Sequence, residues 1–151
     1  MAIAALWNPI IRDTAITFTT DEKSAEGLAA TLAEKAGADF PFLIAEAGEL
    51  LGFATYGSFR NGPGYRRTVE HTIILAPQAR GRGIGRALMA ALEEHARARS
   101  IHSLIAGVSG ENPSGRAFHA AIGFAEIAVL PEVGFKFGRW MDLVLMQKRL
   151  G

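Results

Sequence analysis

A chain of 151 residues with 49% hydrophobic and 21% charged side chains has the makeup of a soluble globular domain, and it is too apolar for disorder. A net charge of +1 gives no bulk case for nucleic-acid binding, although arginines crowd residues 60–67, 80–86 and 97–99. The lack of cysteine excludes disulfides, thiolate zinc sites and a cysteine nucleophile, and His71, His95, His102 and His119 show no metal-ligand spacing.

The apolar start MAIAALW has no basic flank or cleavage-like site, so it does not read as a signal peptide. No apolar run reaches membrane-spanning length, and a soluble cytoplasmic protein is the expectation. Residues 2–13 read as a short helix disturbed by Pro9, followed by an extended link, TAITFTT. SAEGLAATLAEKAG spells a helix capped by Ser24 and closed by Gly37. Residues 42–46 and 50–59 read as two strands around a turn at Gly48, and NGPGY as a loop.

TVEHTIILA, residues 68–76, is a nearly continuous apolar, β-branched run of the kind found in central strands, and Pro77 ends it. Ile84, Leu88, Met89 and Leu92 recur at helical spacing and predict an amphipathic helix over 84–99. SLIAGVS follows as a strand, residues 114–122 as a short helix closed by Gly123, and FAEIAVL and WMDLVLMQK as the last two strands. The sum is an α/β or α+β domain on a central mixed sheet. No repeat or linker divides residues 1–151, so one domain is expected.

Between the 68–76 strand and the 84–99 helix lies RGRGIGR, residues 80–86. Glycines here let the backbone turn tightly and approach a ligand, and the free N–H groups and positive dipole end of the helix attract an anion. That is the design of a phosphate cradle. Walker A is absent because no Lys-Ser or Lys-Thr pair follows, and the dinucleotide fingerprint fails because its last glycine would be Arg86.

The pattern that remains, Arg80-x-x-Gly83-x-Gly85 after a strand and before a long helix, resembles the pyrophosphate loop of the GNAT N-acetyltransferases. Asn112, the helix at 114–122 and Gly123-Phe124 also match that family's order. Within it the sequence is most similar to the phosphinothricin and methionine sulfoximine acetyltransferase branch. WNPIIRDTAITF, FRNGPGYRRTVEH and GFKFGRWMDLVLMQ carry the likeness, which covers essentially the whole chain.

The resemblance implies a GNAT fold: a mixed, mostly antiparallel sheet flanked by helices. The family begins with a strand before its first helix. Here that helix starts almost at Met1, so the fold is expected to lack its first strand. The expectation is either a truncated chain or a bare sheet edge that needs a cover.

It implies acetyl-CoA as co-substrate and no metal. Arg80, Gly81, Arg82, Gly83, Ile84, Gly85 and Arg86 would hold the pyrophosphate, and Asn112 the pantetheine arm. The backbone of Ile73, Ile74 and Leu75 would pair with that arm, one N–H polarising the thioester oxygen. Glu70 would be the general base, and a carboxylate within an apolar strand needs a reason; an ion pair with Arg66 or Arg67 is the structural alternative. His119 would protonate the leaving thiolate, or else be an exposed helical histidine without a role, an alternative that requires it to face solvent.

Glu70, His71 and Thr72 would face the substrate. In a regular strand His71 points away from Glu70 and packs, unless a bulge intervenes. Arg60 and Arg66 would clamp a substrate carboxylate, with Asn61 and Gly62 shaping the wall and Phe18, Tyr65 and Trp140 adding apolar surface; solvated surface arginines are the alternative.

The activity implied is transfer of acetyl to the α-amine of a small amino-acid-like molecule, by direct attack in a ternary complex. Branch members are commonly dimers, so a homodimer is implied. Two rivals keep the fold: acetylation of another amine, such as a peptide N-terminus or polyamine, and a non-catalytic acyl-CoA-binding module.

Overall fold

In a computed structural model, residues 2–151 are described, and they form four helices and a six-stranded sheet. Helix α1 spans Ala2–Asp13 without a break, despite Pro9. Pro9 cannot donate to the Ala5 carbonyl, but both residues lie on the exposed face, where water can serve that oxygen. The link after α1 is irregular, and Asn8 ties it down with paired hydrogen bonds to the Lys23 backbone at 2.7 and 2.9 Å.

Helix α2 (Ala25–Gly37) is capped by Ser24, which accepts from the Gly27 N–H. Gly37 remains within the helix, and Asp39 takes the left-handed conformation that glycine was expected to supply (φ 57°). A short acidic side chain tolerates that region better than most.

Strands β1 (Phe42–Glu46) and β2 (Leu50–Ser58) form a hairpin, and β3 (Thr68–Leu75) adds antiparallel to β2. Helix α3 (Ile84–Ala98), β4 (Ser103–Ser109), α4 (Pro113–Ala121), β5 (Ala125–Lys136) and β6 (Arg139–Arg149) complete the chain. The sheet order is β1-β2-β3-β4-β6-β5, with only β3 and β4 parallel, and among the described residues no strand precedes α1.

The last hairpin is longer than its hydrophobic pattern suggests. Strand β5 continues through Pro131 because it is an edge strand and its register slips between Leu130 and Gly134. Phe137 and Gly138, both at positive φ, make the two-residue turn.

Period-two alternation sorts β3 between two cores. Val69 and Ile73 pack with Leu88, Met89 and Leu92 of α3 and with Leu104 of β4. Ile74 packs on the opposite face with Phe53 and with Ile10 and Trp7 of α1. The sheet therefore separates α1 from α3, and Glu70 and His71 point to different faces.

A candidate acyl-transfer site in a split sheet

Strands β3 and β4 pair only from Thr68 to His71 against Ser103 to Ala106. Beyond that they diverge. Thr72–Leu75 and Gly107–Ser109 remain bonded to β2 and β6, but not to each other. The opening turns backbone edges of the sheet toward a gap, and a cavity lies at each side of it.

The first cavity, about 420 Å³, lies at the start of α3. Ile73, Ile74, Leu75, Arg80, Gly81, Gly83, Ile84, Gly85, Arg86 and Asn112 line it; Arg82 stays outside. Gly81 and Gly83 adopt positive φ (74° and 77°), which turns the chain into the helix, and no side chain caps α3. Its first-turn amides are thus free to bind an anion. Asn112 accepts from the Gly115 N–H at 3.0 Å, so it caps α4 while lining the cavity.

The second cavity, about 260 Å³, is lined by Glu70, His71, Thr72, Thr17, Phe18 and Trp7 among others. Ile16, Ile73, Ile74, Asn112 and His119 line both cavities, so the two meet at the gap. Glu70 makes no ion pair among the described residues. Its carboxylate lies over Gly107, where a Cβ would come within 3.1 Å of Oε2. Burial pushes its pKa above the ordinary carboxylate value.

The β2–β3 pairing is regular, without a bulge, and His71 is buried, as its strand position predicts. It meets His119 of α4, Nε2 to Nε2, at 2.9 Å. The other nitrogen of His119 lies 2.8 Å from the Gly115 carbonyl, an acceptor only, so Nδ1 carries the hydrogen. In the neutral pair the shared hydrogen therefore belongs to His71. Burial, reinforced by His119, pushes His71 down to about 3; the Ile105 backbone favours a proton, but no hydrogen bond of ordinary geometry reaches Nδ1. Burial lowers His119 as well, against the pull of Gly115. Both rings are thus neutral at pH 7, and neither nitrogen of His119 stands free in this arrangement.

The loop before β3 stands apart. Arg60 lies over the Tyr65 ring at 5.6 Å, and neither it nor Asn61 nor Gly62 lines the two cavities. Arg66 lines a separate hollow with Arg67, Arg99 and Tyr56. Arg66 sits in the helical turn that closes this loop, ahead of the first residue of β3, and within one chain neither Arg60 nor Arg66 lines the Glu70 cavity. Trp140 is exposed beside Phe135, away from both cavities.

Trp7, Ile16 and Thr17 escaped the sequence reading, because an amphipathic helix and a polar link carry no motif. The two buried side-chain nitrogens left without a partner among the described residues, Trp7 Nε1 and His71 Nδ1, both belong to residues lining the second cavity. Unpaired buried polar atoms are rare and mark places where a ligand or water belongs.

Comparison with known proteins agrees with this geometry. The family model described as an acetyltransferase (GNAT) domain matches residues 3–145. A methionine sulfoximine/methionine sulfone acetyltransferase of Pseudomonas paraeruginosa is 36% identical, over 98% of this chain and 87% of its own. A phosphinothricin N-acetyltransferase of Alcaligenes faecalis is 38% identical, over 99% and 77%. The crystal structure of a phosphinothricin acetyltransferase from Sinorhizobium meliloti in complex with acetyl-CoA superposes with a TM-score of 0.92 at 34% identity, over 99% of this chain and 82% of that one. A split sheet, an uncapped glycine-bounded helix start and this likeness along the whole chain lead to one assignment: the protein belongs to the GNAT acetyltransferase family.

Proposed function

We propose that this acetyltransferase moves acetyl from acetyl-CoA to the α-amine of a small amino-acid-like acceptor of the methionine sulfoximine, methionine sulfone or phosphinothricin type. The observation that carries the reading is the gap between β3 and β4, which joins the uncapped start of α3 to a pocket holding the Glu70 carboxylate. The pyrophosphate would rest on the first-turn amides of α3, flanked by Arg80 and Arg86. The pantetheine arm would run along the free edge at Ile73–Leu75 beside Asn112, bringing the thioester to the junction.

Glu70 takes a proton from the acceptor ammonium, directly or through a water, and the freed amine attacks the thioester carbon. Collapse of the tetrahedral intermediate breaks the C–S bond and leaves a surplus proton on nitrogen and a charge on sulfur. His119, at the junction, carries that proton to the thiolate once its ring turns from His71. A neutral imidazole suits such a relay, because it must first accept.

We further propose a homodimer. Val129, Val133, Phe135, Phe137 and Trp140 leave large apolar surface exposed along β5 and β6. The 59–67 loop, whose Arg60 and Arg66 make no ion pair among the described residues, would then serve a neighbouring pocket. Light scattering is expected to give twice the 16.2 kDa chain mass, and a monomer at micromolar concentration would rule the dimer out.

The test of the reaction is release of free CoA from acetyl-CoA over a panel of amines. Methionine sulfoximine and phosphinothricin should be turned over and a polyamine should not. Turnover of the polyamine alone would replace the acceptor class, and binding of acetyl-CoA with no turnover at all would leave the non-catalytic module.

A further inference from the structure

Lys136 is one of the most buried charged residues, 2% exposed, and no carboxylate lies within ion-pair distance of it among the described residues. From the end of β5 its Nζ donates to the Thr14 and Thr17 carbonyls, each at 2.7 Å. Those carbonyls belong to the irregular link after α1, more than a hundred residues away in the chain. A buried ammonium without a counter-ion is costly, and here two carbonyl dipoles compensate it.

The link it grips is functional surface. Ile16 lines both cavities, and Thr17 and Phe18 line the Glu70 cavity. Two other contacts hold the same segment. The Thr14 hydroxyl accepts from the Ile16 N–H while donating to the Ile10 carbonyl. The Phe18 ring lies flat against Gly134 of β5, where a Cβ would come within 2.6 Å of ring carbons. Gly134 and Lys136 are two residues apart and so share a strand face. One face of β5 therefore clasps residues 14–18 by a ring contact and a cation.

We propose that Lys136 is a positioning residue for the acceptor: through the Thr14 and Thr17 carbonyls it holds Ile16, Thr17 and Phe18 as the roof of the Glu70 cavity, and so sets which amines fit. The inference rests on the reading that the amine sits in that cavity. Of the clasped segment only Ile16 reaches the cavity at the start of α3, so acetyl-CoA binding, which depends mainly on the α3 side, should change little.

The test uses the full chain carrying Lys136→Met, Lys136→Arg or Gly134→Ala. Lys136→Met is expected to raise KM for methionine sulfoximine about tenfold, with kcat and the acetyl-CoA Kd within about twofold. Lys136→Arg should restore part of the loss. Gly134→Ala, which displaces Phe18 from the other side, should raise KM in the same way. Hydrogen exchange at the Thr14 and Ile16 amides should accelerate in Lys136→Met while β2 and β3 keep their protection.

Unchanged KM in Lys136→Met overturns the proposal, even if exchange accelerates, because the lysine is then only a structural tie. Should Lys136→Met fail to fold, unchanged KM in both other variants overturns it equally. A wild-type protein that turns over no amine defeats the acceptor reading instead, and amide exchange still decides whether Lys136 holds the roof.

Discussion

Glu70→Gln is expected to fold normally and to lose about 10²–10⁴-fold in kcat/KM at neutral pH, the range typical of a removed general base. The amide keeps the size and shape of the carboxyl, so Gly107 opposite accommodates it without a clash. No ion pair is broken among the described residues. What disappears is a group able to accept a proton.

The pH dependence makes the assignment specific. Burial raises the Glu70 pKa, and the ionised form is the base, so wild-type kcat/KM should climb with pH through a midpoint above the ordinary carboxylate value. The variant should lack that limb. A partly desolvated carboxylate destabilises the fold when ionised, so the melting temperature of Glu70→Gln at pH 7 should be unchanged or slightly raised. Unaltered kcat/KM, or a loss matched by unfolding, would remove Glu70 from the role.

The second large effect is expected at Gly83→Val, which should weaken acetyl-CoA binding about 10²-fold or more. Gly83 precedes the first residue of α3 at φ 77°, where a β-branched side chain is strained by roughly 1–3 kcal/mol. A Cβ there meets nothing within 4 Å, so the chain can stay folded while the new methyls stand over the free amides. Losing two charge-assisted hydrogen bonds of about 1.5–3 kcal/mol each accounts for the magnitude. Titration with pantetheine, which lacks the pyrophosphate, provides the control: its affinity should change little. Equal losses for both ligands would mean a general collapse of the cavity, and no loss for either would move the phosphate elsewhere.

Local signals carried most of the fold. Ser24, the 84–99 periodicity and the β-branched run at 68–76 each act within one element, and each element stands within a residue or so of where its pattern placed it. Errors arose where tertiary context decides. The strand pattern stopped at Leu130, before Pro131 and the glycines after it, yet an edge strand with a register slip runs on through them. The lining of the two cavities was legible where backbone geometry makes it, at Gly81, Gly83 and Gly85, and where a charge interrupts an apolar run, at Glu70. Lys136 gave no warning, because its partners are carbonyls more than a hundred residues distant. Neither did the His71–His119 contact, which needs strand and helix to be packed before it exists.

The four-rung join between β3 and β4 has a mechanical meaning. It makes the sheet two half-sheets joined at one end, with Thr72–Leu75 and Gly107–Ser109 each bonded within its own half but not to one another. A ligand lying in that seam would act as a weld, supplying partners for backbone groups that otherwise face solvent. Occupancy then adds to folding stability in proportion to the logarithm of ligand concentration over Kd, about 2.7 kcal/mol at a hundredfold excess. The durability of the protein would thereby become a gauge of how much acyl donor surrounds it.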